Sequence, residues 1–340
     1  MKKILLSVLI LACFCFSKLS KEEDALPIVY EQHPDQRPDF GLGEHYGYSI
    51  LYKYAVSQDA TLSFEKDYPR MHAALAFENI MEAFIATLYD QGKYPRSFDV
   101  LHNVHACTGT SPEAYADLLS GEVDVIFCFE PSVQQLWLAA DQGVSYNLTP
   151  IGREAFVFFV NPGNPVKSLT SAQVRDIYSG KITNWRTVGG KDAPIRAFQR
   201  PKNSGSQTIL EKIMDGTPLM TPATENYHIA MFEIVEAAAN YRNGENALGY
   251  SFLSYATNLW KQREASDPRT VKLLTFDGVA PTIENIRNGT YPFVQDFYAI
   301  TLSGRETPNT KKFVEWIISP QGQDLIQHAG YVPVHDAWPE

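Results

Sequence analysis

Residues 200–208 read RPKNSGSQT, and this order of residue types predicts a binding site for an anion. Ser204, Gly205 and Ser206 offer two hydroxyl donors on a flexible backbone. The next residues, 207–214 (QTILEKIM), predict a helix whose first turn has free backbone N–H groups and the positive end of the helix dipole. An oxyanion binds there without a large net charge, and Arg200 can add a planar fork of donors. Alternatively, Ser-Gly-Ser only caps the helix and forms a turn.

A second distinctive run precedes this stretch and consists of NPVKSLT (164–170), QVRDIYSGKITNW (173–185) and VGG (188–190). This order resembles the periplasmic phosphate-binding proteins of ABC transporters, in which a similar run precedes an Arg…Ser-Gly-Thr motif. Arg200, Ser204, Gly205 and Ser206 fall on that motif, with Ser206 in place of the threonine, so the hydroxyl is kept. The resemblance continues through ALGYS (247–251), YPF (291–293) and residues 313–333.

The alternation of predicted strands and helices indicates a layered α/β fold. The strands are predicted at 98–104, 123–129, 154–161 and 296–302, and the helices at 73–89, 111–119, 130–140 and 310–318, with a further turn or helix from Pro320. The resemblance implies the two-lobed periplasmic-binding-protein fold of type II, with two crossing strands between the lobes. Lobe 1 would comprise residues 61–160 and 293–340, and lobe 2 residues 161–292.

In the resembled family the first lobe contributes a Gly-Ser-Thr helix start to the ligand. The corresponding residues here are Ala73, Ala74 and Leu75, which leave only the backbone N–H groups of Ala74 and Leu75 as donors. His72 could supply an imidazole donor or could simply end a strand.

Three further first-lobe positions are candidates for the ligand site. Thr110 and Ser111 begin a helix and can either cap it or donate to a ligand. Ser132 is another helix-start donor. Asp124 in the pocket would accept the proton of a monoprotonated oxyanion and repel a fully ionised one, although it could also serve a backbone turn.

The composition restricts the class of protein. The chain of 340 residues with 44% apolar content is long enough for two lobes, and a net charge of −10 disfavours a nucleic-acid partner. Residues 1–17 form a targeting segment, with a basic start and an apolar run too short to span a bilayer. Ile10-Leu11-Ala12-Cys13 is similar to a bacterial lipobox with Cys13 as the lipidated residue, and cleavage near Ser17 is the alternative. Residues 18–60 are predicted to form a tether or surface extension.

The sequence gives little support for a metal site or a catalytic site. Cys107 and Cys128 lie in the body of the chain at a spacing that does not require a disulfide, and Cys128 is expected to pack as a buried thiol. His102, His105 and Cys107 would alternate faces in an extended run, so no metal site and no cofactor are predicted. No Gly-x-Ser-x-Gly nucleophile elbow and no phosphate-binding Walker loop are present in the sequence.

These features favour an exported, monomeric solute-binding protein, without enzymatic activity, anchored to the membrane through Cys13. The resemblance implies that it closes on a small oxyanion, phosphate above others, and delivers it to the permease of an ABC transporter. A sensor or adhesion module that uses the same fold for another ligand or protein partner is the alternative, and a hydrolase is less favoured.

Overall fold

A computed structural model describes residues 60–89, 106–229, 231–239, 244–261 and 270–335. Within these ranges the strands are β1 (Met71–Ala74), β2 (Ala106–Gly109), β3 (Val125–Cys128), β4 (Tyr146–Val160), β5 (Ser168–Leu169), β6 (Arg196–Ala197), β7 (Ala247–Phe252), β8 (Lys272–Leu273), β9 (Thr275–Phe276), β10 (Val294–Leu302) and β11 (Val332–Pro333). The helices are α1 (Glu78–Leu88), α2 (Ser111–Ser120), α3 (Val133–Asp141), α4 (Ser171–Tyr178), α5 (Gly205–Ile213), α6 (Met231–Ala239), α7 (Leu253–Lys261), α8 (Ile283–Arg287), α9 (Pro308–Ile317) and α10 (Pro320–His328).

The main sheet has nine strands in the order β2-β1-β3-β10-β4-β7-β6, with β8 and β11 also pairing with β4. β1 runs parallel to β2 and β3, and β6 runs parallel to β7, whereas the central pair of β4 and β10 is antiparallel. The strands β1, β2 and β3 form the first lobe, and β6 and β7 the second. The fold is therefore mixed α/β and two-lobed, as predicted.

The long strand β4 joins the two lobes. Its first part pairs with β10, up to Ala155 opposite Val294, and its next residues pair with β7, from Phe156 opposite Phe252. The switch of partner at Ala155 and Phe156 lies where the chain crosses between the lobes. Aromatic side chains fill the core at this crossing, and Phe156, for example, stacks on Tyr250 with ring centroids 5.2 Å apart. The apolar run predicted at 154–161 is thus the second half of a crossing strand of 15 residues.

Local capping sets most helix boundaries close to their predicted positions. Thr110, Ser132 and Thr170 each form a capping box at the start of α2, α3 and α4, and Gly121 ends α2 with a φ of 80°. Such caps satisfy backbone N–H groups that have no partner within the helix. No described helix is long and apolar enough to cross a membrane.

The helix predicted at 73–89 is wrong at its beginning. Ala73 and Ala74 belong to β1, a 3₁₀ turn covers Leu75–Phe77, and α1 begins only at Glu78. Pairing with β2 and β3 on both sides of β1 overrides the helical propensity of the alanines. The segment 227–241, expected in the second lobe, contains α6 from Met231, and Tyr227 before it forms a bridge with Gln199. The strand predicted at 98–104 and the segments 1–17 and 18–59 lie outside the described residues.

Candidate functional site

A small cavity of about 20 Å³ lies between the two lobes. On the first-lobe side it is bounded by the end of β1, the 3₁₀ turn and the start of α2, and on the second-lobe side by the loop that begins α5. Its lining residues are Ala74, Leu75, Ala76, Gly109, Thr110, Ser111, Phe129, Arg200, Ser204, Gly205, Ser206, Met231 and Phe252. The structure therefore brings six of the eight predicted ligand residues together.

Three helix starts converge on this cavity. The 3₁₀ turn at Leu75 has no side-chain cap, so the N–H groups of its first residues are not satisfied by the residue before it. The first turns of α2, at Ser111, and of α5, at Gly205 and Ser206, also meet at the cavity. Backbone N–H groups at helix starts are donors with a partial positive charge. Their convergence from both lobes directs backbone N–H donors toward one cavity.

Arg200 is buried, with only 5% of its surface exposed. Its Nη1 donates to Ser206 Oγ across 2.9 Å and its Nη2 donates to the carbonyl of Ile229 across 2.7 Å, while Nε has no hydrogen-bond partner among the described residues. Burial lowers the pKa of Arg200, yet a guanidinium stays charged in proteins. Within the described ranges no carboxylate forms an ion pair with it.

The two serines beside Arg200 each accept one N–H group. Ser204 Oγ accepts from the N–H of Gln207 across 3.4 Å and caps α5, and Ser206 Oγ accepts from Arg200. Gln207 Oε1 accepts from the N–H of Arg200 at 3.0 Å and from the hydroxyl of Tyr250 at 2.6 Å, which ties the loop to β7. Since each serine uses an oxygen lone pair for an N–H group, its hydroxyl hydrogen remains for an acceptor in the cavity.

Gly205 and Ser111 bring the two lobes into contact. A Cβ atom on Gly205 would lie 2.8 Å from Ser111 Oγ, so any larger residue there would have to displace the Ser111 hydroxyl. At the rim of the cleft, Lys212 of α5 forms an ion pair of 2.8 Å with Glu130, which holds the pKa of that carboxyl below its ordinary value. The lobes are thus closed over the cavity.

Two predicted site residues lie elsewhere. Asp124 precedes β3 and binds Arg70 in a bidentate pair, with distances of 2.7 Å from Nη2 and 3.1 Å from Nε. The parallel register of β1 and β3 places this pair at the opposite end of the strands from Ala74. Ser132 caps α3, where its Oγ accepts from the N–H of Gln135 across 3.3 Å. Neither Asp124 nor Ser132 lines the cavity.

Thr110, Ser111 and His72 each have two possible roles in the sequence, and the structure shows their positions. Thr110 caps α2, because its Oγ accepts from the N–H of Glu113 across 3.5 Å, and its own N–H and hydroxyl donate in return to Glu113 Oε2 at 2.7 and 2.8 Å. Ser111 faces the cavity beside it. His72 is fully buried, and its Nδ1 lies 2.8 Å from Asp117 Oδ2.

Cys107 and Cys128 are both buried, and neither forms a disulfide. His72, Cys107 and Asp117 have potential ligand atoms within 4.8 Å of one another, although the hydrogen bond between His72 and Asp117 already accounts for their proximity. His102 and His105 lie outside the described residues.

Sequence reasoning missed the apolar wall of the cavity. Phe129 follows β3, Phe252 ends β7 and Met231 begins α6. The position of Phe129 at the carboxyl end of a parallel strand was the available signal, since ligands of open α/β sheets bind at that edge. No local pattern marks Phe252 or Met231, which reach the cavity only through the packing of the second lobe.

Comparison with known proteins identifies the family. A family model described as a PBP superfamily domain matches residues 56–321. Among curated proteins, the chain is 29% identical over 195 residues to the phosphate-binding protein PstS of Bacillus subtilis, covering 57% of this chain and 58% of the relative. It is 26% identical over 250 residues to the protein SphX of Synechococcus elongatus, covering 68% and 70%. The alignment with the first of these thus spans less than two thirds of the relative's length.

Solved structures show the same fold. One of a putative phosphate ABC transporter substrate-binding protein from Clostridium perfringens, with bound phosphate, aligns with a TM-score of 0.60 at 24% identity, covering 79% of this chain and 100% of the other. An ABC-type phosphate transport receptor from Vibrio cholerae aligns with a TM-score of 0.56 at 21% identity, covering 78% and 99%. The match of the family model over most of the chain, together with this two-lobed fold, shows that the chain belongs to the PBP superfamily.

Proposed function

We propose that this protein is an exported solute-binding protein that closes its two lobes on a small oxyanion, with phosphate as the favoured ligand. The observation that carries this proposal is Arg200, a buried cation without a described carboxylate partner, beside which three helix starts converge. A buried, uncompensated charge is costly, and an anion in the cavity would compensate it while accepting hydrogen bonds from Ser204 and Ser206.

The architecture supports capture by closure. Donors come from both lobes, and the lobes are joined by β4 and β10. An anion that contacts both lobes favours the closed state, and the crossing strands can absorb the hinge rotation. In this proposal lobe 1 comprises residues 61–160 and 293–340, and lobe 2 comprises residues 161–292.

The relatives support phosphate as the ligand, because the PstS proteins among them are phosphate-binding proteins. The two similar solved structures belong to phosphate transport by ABC transporters, which supports delivery of the bound anion to the permease of such a transporter. We propose that the protein acts as a monomer and without catalysis.

A thermal-shift experiment on the purified protein tests the ligand. Phosphate should raise the melting temperature in a dose-dependent manner, because a ligand that binds only the native state stabilises it by mass action. Chloride at equal ionic strength is the control. Absence of a shift, together with absence of heat in calorimetric titration, would refute phosphate as the ligand.

The anchor is a separate proposal, based on Ile10-Leu11-Ala12-Cys13. Mass spectrometry of the mature N-terminus should find a lipidated Cys13, and Cys13→Ser should release the folded protein from the membrane fraction. A free N-terminus near Ser17 in the wild type would contradict lipidation.

A further inference from the structure

The anion loop, residues 200–207, begins where the chain leaves the main sheet. The parallel pairing of β6 with β7 continues as far as Phe198, whose N–H donates to the carbonyl of Leu248 across 3.0 Å. The next N–H, that of Gln199, donates to the carbonyl of Asn226 instead. Arg200 is buried, so its backbone N–H needs an acceptor other than the neighbouring strand.

The side chain of Gln207 supplies that acceptor. Its Oε1 accepts from the N–H of Arg200 across 3.0 Å, which closes the loop between residues that are seven apart in the chain. The same oxygen accepts from the hydroxyl of Tyr250 across 2.6 Å. The amide also hydrogen-bonds the carboxylate of Glu211, and since a carboxylate only accepts, the amide nitrogen points to Glu211 and the oxygen to the loop. Both ends of the amide are therefore engaged.

Tyr250 connects this loop to the crossing strand. It lies in β7 and is fully buried, and its ring stacks on Phe156 with centroids 5.2 Å apart. Phe156 begins the part of β4 that pairs with β7. Close packing fixes the ring of a buried tyrosine, so its hydroxyl holds the Gln207 amide, and with it the backbone of Arg200, at a set distance from β4.

The position of the Arg200 guanidinium depends on the position of the loop. Its Nη1 donates to Ser206 Oγ, which belongs to the same loop, and its Nη2 donates to the carbonyl of Ile229. A shift of the loop backbone would therefore move the charge and the Ser206 hydroxyl together. Neither Gln207 nor Tyr250 lines the cavity, so an effect of either side chain on the ligand must pass through the loop.

We propose that Tyr250 is a positioning residue for anion binding, which acts through Gln207 to hold Arg200 at the cavity. The proposal rests on the proposed function and deepens it. A charge-assisted hydrogen bond weakens steeply when its distance and angle depart from the optimum. A hydroxyl in the core of the second lobe thereby sets part of the affinity for an anion that it does not touch.

Calorimetric titration of the full-length mature protein with inorganic phosphate tests this role. Tyr250→Phe keeps the ring and removes only the hydroxyl, so the affinity should fall roughly three- to tenfold. Tyr178→Phe is the matched control, because Tyr178 is equally buried, packs near Tyr250 and donates its hydroxyl to the carbonyl of Leu248 instead of the loop. It should leave the affinity within about twofold of the wild type. Equal affinities of wild type and Tyr250→Phe, or equal losses in the two variants, would overturn the proposal.

A double-mutant cycle with Arg200→Met separates positioning from a purely structural role. In the Arg200→Met background, Tyr250→Phe should change the phosphate affinity by less than about twofold, because the group that it positions is gone. A loss as large as in the wild-type background would overturn the proposal. If Tyr250→Phe does not fold, Gln207→Met, which removes the shared acceptor, replaces it in the cycle with the same expectations.

The same titrations distinguish this proposal from the proposed function. Phosphate binding by the wild type that Tyr250→Phe leaves unchanged would overturn only the role of Tyr250. A wild-type protein that binds no phosphate would overturn both.

Discussion

Gly205 lies so close to Ser111 that a Cβ atom on the glycine would stand 2.8 Å from the serine Oγ. The two residues belong to different lobes, and each begins a helix that points at the same cavity. Their contact brings the two lobes together at the cavity. It also places the donors of α2 and α5 within reach of one small ligand.

Gly205→Ala should hinder closure, because the new methyl group displaces the hydroxyl of Ser111. We expect anion affinity to fall roughly three- to tenfold, the effect of losing one hydrogen bond, while the protein remains folded. The double variant Gly205→Ala, Ser111→Ala removes the clashing atom and is the control for closure. Ser111→Ala alone gives the cost of losing the hydroxyl, and a double variant whose two losses simply add would contradict a steric effect. Calorimetry measures both.

Arg200→Met should weaken anion binding without lowering the stability of the ligand-free protein. Removing a buried charge without a described carboxylate partner should leave the free energy of unfolding of the ligand-free protein unchanged or higher. The same change should weaken the anion roughly ten- to a hundredfold, because a charge-assisted contact worth about 1.5–3 kcal/mol is lost. Urea unfolding with and without ligand gives both quantities.

Arg196→Met is the matched control for Arg200→Met. Arg196 belongs to the same lobe, donates to Asn226 Oδ1 across 3.0 Å and lies over the ring of Phe198, away from the cavity. It should change stability without changing affinity. Equal loss of binding in the two variants would argue against a specific role of Arg200.

Asp124→Asn tests where the structure places this carboxylate. The change weakens the ion pair with Arg70, whose pKa is raised by its hydrogen bond to Asp124, and we expect a loss of stability of about 1 kcal/mol for a pair that is partly exposed. Anion affinity and the ratio of sulfate to phosphate binding should stay unchanged. A change in that ratio would mean that Asp124 reaches the ligand after all.

Glu154 should make stability depend on pH. Burial raises the pKa of its carboxyl from 4.5 to about 7, although the N–H groups of Ala155 and Ser254 donate to it. Between pH 4.5 and about pH 7, the native state therefore keeps a proton on Glu154 that the unfolded chain has already lost. The stabilisation is complete below the unfolded pKa of 4.5 and is lost as the pH rises through about 7.

Glu154→Gln should remove this dependence. Relative to the variant, the wild type should lose on the order of 2–3 kcal/mol between about pH 4 and pH 8. Denaturant unfolding across this pH range measures the difference. The exposed Glu284→Gln is the control and should follow the wild type. Parallel curves for wild type and Glu154→Gln would contradict the expectation.

The sequence alone determined the features that depend on neighbours along the chain. Ser204, Gly205 and Ser206 begin a helix in the structure as they do in the pattern, and Arg200 is near enough in sequence to contact Ser206. Helix caps and turns were predictable for the same reason, as Thr110 and Gly121 show. Local geometry and a few side-chain hydrogen bonds decide such features, whatever the rest of the fold does.

The tertiary structure alone decided what surrounds the anion loop. The register of β1 against β3 places Asp124 beside Arg70 at one end of the strands and Phe129 beside the cavity at the other end. Ala73 and Ala74 were predicted to be helical, but they form a strand because β1 pairs with a neighbouring strand on each edge. These outcomes depend on contacts between residues far apart in the chain, whose energies outweigh local propensity and leave no periodic trace in the sequence. The local sequence therefore determined the turn and helix start at Ser204, Gly205 and Ser206, and the packing of the two lobes determined which residues surround them.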